Sequence, residues 1–134
     1  MSDNLALQSV LAFIGRLLLV AIFLSSGFEK LADPAGTIEY IRAANLPLPS
    51  VAFAIALVVE LVGSVLLLVG YQARLAALAL ALFTVASALG FHTNFADQNQ
   101  MIHFMKNLAI TGGFLQIVAF GAGAFSLDRR AGRV

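Results

Sequence analysis

Four stretches of roughly 20 or more mostly apolar residues divide this chain, and each is long enough to cross a bilayer as a helix. They run from about Leu5 to Phe28, from Val51 to Tyr71, from Ala73 to Phe91 and from Ile102 to Leu127. Composition agrees: 60% of residues are hydrophobic and 11% charged, against about 45–50% and about 25% in soluble domains. The expected fold is all-α, an integral membrane four-helix bundle, with residues 1–134 as one domain. The first charge is Asp3, Arg16 interrupts the first apolar run, and no Ala-x-Ala site follows. That stretch therefore reads as a retained membrane helix rather than a signal peptide.

The linkers refine the picture. Between the first two stretches, Asp33-Pro34 reads as a helix cap with its first-turn proline. Thr37 to Ala44 sets Ile38 and Ile41 against Glu39 and Arg42, predicting a short amphipathic interfacial helix between helices 1 and 2. Asn45-Leu46-Pro47-Leu48-Pro49 ends it. The second linker, around Tyr71-Gln72-Ala73-Arg74, is too short for anything but an antiparallel hairpin. The third, His92 to Met101, is polar.

With four spans, both termini and the second linker share one side. That side carries Arg74, Arg129, Arg130 and Arg133, while Lys30, Arg42 and Lys106 fall on the other. The positive-inside rule puts both termini in the cytoplasm, the chain being a multi-pass protein of the plasma membrane. Membrane helices associate through small residues and polar contacts. Ala56, Glu60, Gly63 and Gly70 share one face with Ser64 beside it, Ala77, Ala81 and Ala88 offer another, and Gly112-Gly113, Gly121 and Gly123 mark the last stretch.

A charge at membrane depth is expensive and marks a site. Arg16, Phe23 and Lys30 recur every seven residues and share a face, Arg16 and Lys30 being about 21 Å apart. Arg16 and Glu60 each lie near the middle of their stretch. The expectation is that they meet as a buried ion pair, because a guanidinium grips a carboxylate with two parallel hydrogen bonds. Such a pair could serve only to fix helix register, or it could form the floor of a polar cavity. His103, Lys106 and Asn107 fall at i, i+3 and i+4, and His92 and Glu29-Lys30 end their helices at the same level, so these groups could line one mouth. The candidate ligand-binding residues are Arg16, Lys30, Glu60, His103, Lys106 and Asn107.

Several chemistries find no support. The chain has no cysteine, which removes disulfides, thiolate metal sites and any dithiol relay of its own. A net charge of +1 and the lack of a basic, aromatic-laced stripe give no reason to expect nucleic acid. No nucleophile elbow, phosphate loop or catalytic carboxylate pair is present. No His, Asp and Glu spacing suits a metal. His92 and His103 could in principle ligate haem b, but two histidines are a weak signal.

Four blocks together resemble the DoxX family of small four-helix membrane proteins: Ser26-Gly27-Phe28-Glu29-Lys30-Leu31; Glu60-Leu61-Val62-Gly63 through Leu66-Leu67-Leu68-Val69-Gly70 to Arg74; Lys106-Asn107-Leu108-Ala109 with Gly112-Gly113; and Gly121-Ala122-Gly123-Ala124-Phe125-Ser126-Leu127-Asp128. Arg16 sits where that family usually has an arginine. Ala122 and Phe125 stand where the family commonly has a proline and a tyrosine. The resemblance implies a redox setting, since relatives occur as the membrane subunit of a thiosulfate:quinone oxidoreductase and in a complex linked to thiol and superoxide defence. Function carried over in this way is analogy.

Three functional readings follow. The first is a redox-associated membrane subunit with a quinone site near Glu60, Arg16, His103, Lys106 and Asn107, supplied with electrons by a redox protein partner. The second is a small proton-coupled transporter, working as a homo-oligomer, with Glu60 as its coupling carboxylate. The third is a scaffold subunit of a membrane complex. Whether the chain is itself an enzyme stays open at this stage.

Overall fold

The computed structural model describes residues 3–133. The domain expected over 1–134 extends past it by Met1, Ser2 and Val134, which lie outside the described residues. The described chain is all-helical, in the order α1 (Asp3–Ala32), α2 (Pro34–Ala43), α3 (Pro49–Val58), a π turn (Val59–Gly63), α4 (Ser64–Val69), α5 (Ala73–Phe91), α6 (Gln98–Phe120) and α7 (Leu127–Arg130). The segment α3–π turn–α4 forms one rod, Pro49–Val69. That rod, α1 and α5 are each long and apolar enough to cross a membrane. Helix α6 matches them in length, but polar residues from Gln98 to Asn107 make its first half less apolar.

Local signals explain most boundaries. Asp33 caps α2 by accepting a 3.0 Å hydrogen bond from the Gly36 N–H, and Pro34 fills the first turn, where no donor is needed. Asp97 caps α6 in the same way, accepting from Asn99. Gly70, at φ 71°, ends α4, and the N–H of Tyr71 returns to the Leu66 carbonyl at 2.9 Å. This left-handed stop is the usual glycine solution to a helix end, and it brings α5 back antiparallel after three residues.

The small faces expected on the second rod and on α5 are packed, whereas Gly112 of the last stretch is exposed with nothing beside it. Arg16, Val20, Phe23 and Gly27 are the buried residues of α1. Ala56, Glu60, Gly63, Ser64 and Leu67 are buried along the second rod, and Ala77, Ala81 and Ala88 on α5. Large apolar side chains on the remaining faces, such as Leu18, Val62, Leu75 and Leu82, are exposed, as lipid-facing groups should be.

The last apolar stretch departs from the expectation of one helix from Ile102 to Leu127. Helix α6 stops at Phe120, and Gly121 and Gly123 adopt φ 82° and 88°, a region that residues with a Cβ avoid. Residues 121–133 then form a strap across the end of the bundle that carries the α4–α5 turn. Asp128 closes it. Its carboxylate accepts the N–H groups of Gln72 and Ala73, each at 2.8 Å, supplying the cap that α5 lacks locally. Its own N–H donates to the Gly70 carbonyl at 2.8 Å.

Arg16 does not meet Glu60. Its Nη1 donates to the carbonyls of Leu67 and Leu68, both at 2.9 Å, and its Nη2 donates to the carbonyl of Phe125 in the strap. The expected pairing assumed that the two rods are flush. They are staggered: Gly27 of α1 lies against Leu61, close enough that a Cβ there would fall 2.8 Å from Leu61 Cγ. Arg16, eleven residues earlier, is displaced by about 16 Å and reaches the end of α4 instead. There the last carbonyls of a helix have no partner within it, and a cation also faces the negative end of the helix dipole.

Arg16→Ala is expected to destabilise the fold by about 3 kcal/mol, since charge-assisted hydrogen bonds are lost and buried carbonyls stranded. Arg16→Lys should recover only part, because an ammonium does not fork across three acceptors. The exchange Arg16→Glu with Glu60→Arg, which a direct pair would tolerate, should be no better than either change alone. Thermal unfolding in detergent reads all three, and wild-type stability in Arg16→Ala would overturn the assignment.

Candidate functional site

Glu60 sits in the π turn, the one place where the second rod leaves regular α geometry. Such turns hold one extra residue and recur at functional sites. The carboxylate is 3% exposed, and its partner is Lys30. The ammonium lies 3.1 Å from Oε1 and 2.9 Å from Oε2, and it also donates to Ser26 Oγ at 2.8 Å. Lys30 falls one turn beyond Gly27, so the close approach that misaligns Arg16 is what brings Lys30 into reach. Ser64, one turn past Glu60, is fully buried, and its hydroxyl has no partner among the described residues. In regular helix it would donate to the carbonyl four residues back, a geometry that the wide turn removes.

The Lys30–Glu60 pair forms part of the wall of an open cavity of about 700 Å³ lined by α1, α2, α3, the π turn, α5 and α6. Phe23, Ile55, Phe83 and Ile110 make apolar parts of the wall, and Ser26, Thr37, Tyr40, Ser87, His92 and Asn107 add polar groups. Asn107 Nδ2 donates to the Thr84 carbonyl at 3.4 Å, which leaves its second N–H and its oxygen uncommitted. The rim is aromatic: Tyr40 stacks on Phe91 with centroids 5.1 Å apart and planes 9° apart, and His92 stacks on His103 at 5.1 Å. A mostly apolar pocket with a few convergent polar groups is the usual form of a small-molecule site.

Of the residues singled out by sequence, Lys30, Glu60 and Asn107 line this cavity. His103 and Lys106 stand behind the rim, Lys106 Nζ lying 3.2 Å from His103 Nδ1, and they touch the cavity only through His92. Arg16 is at the opposite end of the bundle. The two imidazoles are stacked, with their planes 27° apart. Partial burial, and the nearby His103 and Lys106, lower the pKa of His92 below its ordinary 6.5, keeping the ring neutral near pH 7. Sequence reasoning missed Thr37, Tyr40, Thr84 and Ser87. The signal was present, since Thr37, Tyr40 and Ile41 recur at i, i+3 and i+4 on α2, and Thr84, Ser87 and Phe91 at i, i+3 and i+7 on α5.

A buried pair predicts its own mutational pattern. Lys30→Met or Glu60→Leu alone strands a charge and should lower the melting temperature markedly, while the double change should be more stable than either single one. A double variant whose loss equals the sum of the two would show that the groups act independently.

Comparison with known proteins finds a family and membrane-protein relatives. The DoxX family profile matches residues 11–93. The Escherichia coli (strain K12) protein titled Inner membrane protein YqjF is 38% identical over 125 residues, covering 92% of this chain and 93% of that one. Inner membrane protein YphA of the same organism is 37% identical over 130 residues, covering 93% of each. No solved structure matches the chain. With a family match across more than half its length and two relatives aligned nearly end to end, this membrane protein belongs to the DoxX family.

Proposed function

We propose that the Lys30–Glu60 cavity binds a planar, hydrogen-bond-accepting redox carrier of the quinone type, and that the protein is the membrane subunit of a redox assembly. The observation that carries this is the pairing of a buried lysine and carboxylate with an aromatic-edged apolar cavity within the membrane-spanning rods. The residues fit such a group. An ammonium has three N–H donors, and Ser26 and Glu60 occupy two, leaving one for a ligand carbonyl. Asn107 and the Tyr40 hydroxyl add further polar contacts, and the stacked rings at the rim suit a flat head group. A bound quinone would supply electron acceptance. The chain's own part is to orient the ring and to hold a transferable proton on the Lys30 ammonium, beside the Glu60 carboxylate and within reach of the ring. The sequence contains no cysteine and no flavin or phosphate loop, so electrons must arrive from a partner protein.

Purified protein, stripped of quinone and titrated with a short-chain ubiquinone analogue, should gain thermal stability. Asn107→Leu should weaken apparent affinity about tenfold, equivalent to roughly 1.4 kcal/mol for a lost hydrogen bond. Absence of co-purifying quinone together with absence of stabilisation would sink the reading. Proton-driven uptake in proteoliposomes that disappears in Glu60→Gln would replace it with transport.

The same proposal places the protein in the cytoplasmic membrane with both termini inside. The start of α1, the α4–α5 turn and the strap share one end, and Arg74, Arg129, Arg130 and Arg133 lie on it. A C-terminal fluorescent-protein fusion should be bright and a C-terminal alkaline phosphatase fusion inactive. The reverse pattern would invert the topology.

A further inference from the structure

We infer a second site, at the arginine end, that takes the phosphodiester head group of an anionic glycerophospholipid. It is independent of the quinone reading, because it lies at the opposite end of the bundle. A hollow of about 920 Å³ opens there between the N-terminal half of α1 and the strap. Arg74, Arg129 and Arg133 all contribute to its wall, and among the described residues Asp128 is the only acid there. That acid is already engaged by the N–H groups of Gln72 and Ala73 and by Arg133 Nε at 3.3 Å. Among the described residues the wall therefore carries a surplus of positive charge, and its one carboxylate is satisfied. Arg129 makes no ion pair among the described residues.

Arg74 is held for the task. Its Nη1 donates to the carbonyls of Val118 and Ala119, at 3.1 and 2.9 Å, closing the end of α6. A Cβ on Gly121 would come within 3.5 Å of Nη2 and 3.6 Å of Nε. Glycine at that position leaves this edge of the guanidinium uncovered, and the edge presents two N–H groups in the fork that suits a phosphate.

Depth and lips match a lipid rather than a free anion. The span Ala73–Phe91 begins one residue before Arg74, which sets the guanidinium at head-group level. Phe120 of α6, 78% exposed, flanks the hollow with apolar surface for an acyl chain. Basic pockets between membrane helices on the cytoplasmic side are the usual seats of anionic head groups.

The test uses the purified full chain, delipidated in mild detergent and titrated with phosphatidylglycerol, with phosphatidylcholine of the same acyl chains, or with inorganic phosphate. Binding is read by native mass spectrometry and thermal unfolding. Phosphatidylglycerol should bind at least tenfold better than phosphatidylcholine and raise the melting temperature. Arg129→Gln with Arg133→Gln should reduce that binding at least fivefold, while Arg42→Gln, at the opposite end, should leave it unchanged. Arg129→Gln alone, at a side chain that makes no ion pair among the described residues, should give a smaller loss in the same direction and keeps the test readable if the double variant does not fold. Equal binding of phosphatidylcholine, or an equal loss in Arg42→Gln, would overturn the site. Inorganic phosphate competing as well as the lipid would overturn the lipid assignment.

Discussion

The grip of Arg16 on backbone carbonyls is the contact on which the rest of this structure depends. A helix that ends inside a protein leaves its last carbonyls without partners, and in an apolar setting each orphan is costly. Helix α4 ends against the middle of α1, where water cannot serve. One guanidinium reaches Leu67, Leu68 and Phe125 together, so it completes the helix end and ties the returning strap to it. Arg74 repeats the device at the end of α6. Both arginines act as caps supplied from another helix, and both hold the C-terminal segment in place.

That anchoring has a consequence at the other end. With α1 fixed against the end of α4, its Gly27 meets Leu61 and its Lys30 arrives at Glu60. The stagger separates the two most deeply buried charges of opposite sign, Arg16 at 1% exposure and Glu60 at 3%, and gives each a different partner. Glu60 receives the more adaptable one. A lysine on a four-carbon stem, with its side chain 20% exposed, can turn toward a ligand in a way that a guanidinium locked on three carbonyls cannot. The end proposed to bind a ligand is thus built around the lysine, and the ends of α4 and α6 around the arginines.

How much of this was legible in the residues depends on which atoms make the contact. Helix α5 is bounded where the apolar run is bounded, Ala73–Phe91, because side-chain hydropathy and helix length decide it. The Asp33-Pro34 cap and the alanine face of α5 were readable for the same reason: side chains carry the signal. The partner of Arg16 was not readable. Its acceptors are main-chain carbonyls, which every residue has, so Leu67, Leu68 and Phe125 give no trace of the role. The end of α6 was hidden in another way, since Gly121 to Phe125 is apolar enough to continue a span and only the positive φ of its two glycines turns it into a strap. Depth matching failed because centring each apolar run assumes flush rods, whereas close approach at Gly27 sets the actual register.

The strap links these points. It is held by Arg16 through a carbonyl, by the α4–α5 turn through Asp128 and by the packing of Ser126, whose hydroxyl donates to Gly123 at 2.7 Å. Ala122 adds an apolar anchor by joining the buried core, but most of these contacts saturate polar groups at the bundle's end, where a lipid head group would also seek partners. The same saturation explains why the arginines there do not simply repel one another. Arg16 and Arg74 are oriented by helix ends and Arg133 by Asp128 and the face of Tyr71, with its guanidinium carbon 5.0 Å from the ring centroid. Arg16 is spent inside the fold, whereas Arg74 and Arg133, each anchored along one edge, also line the hollow.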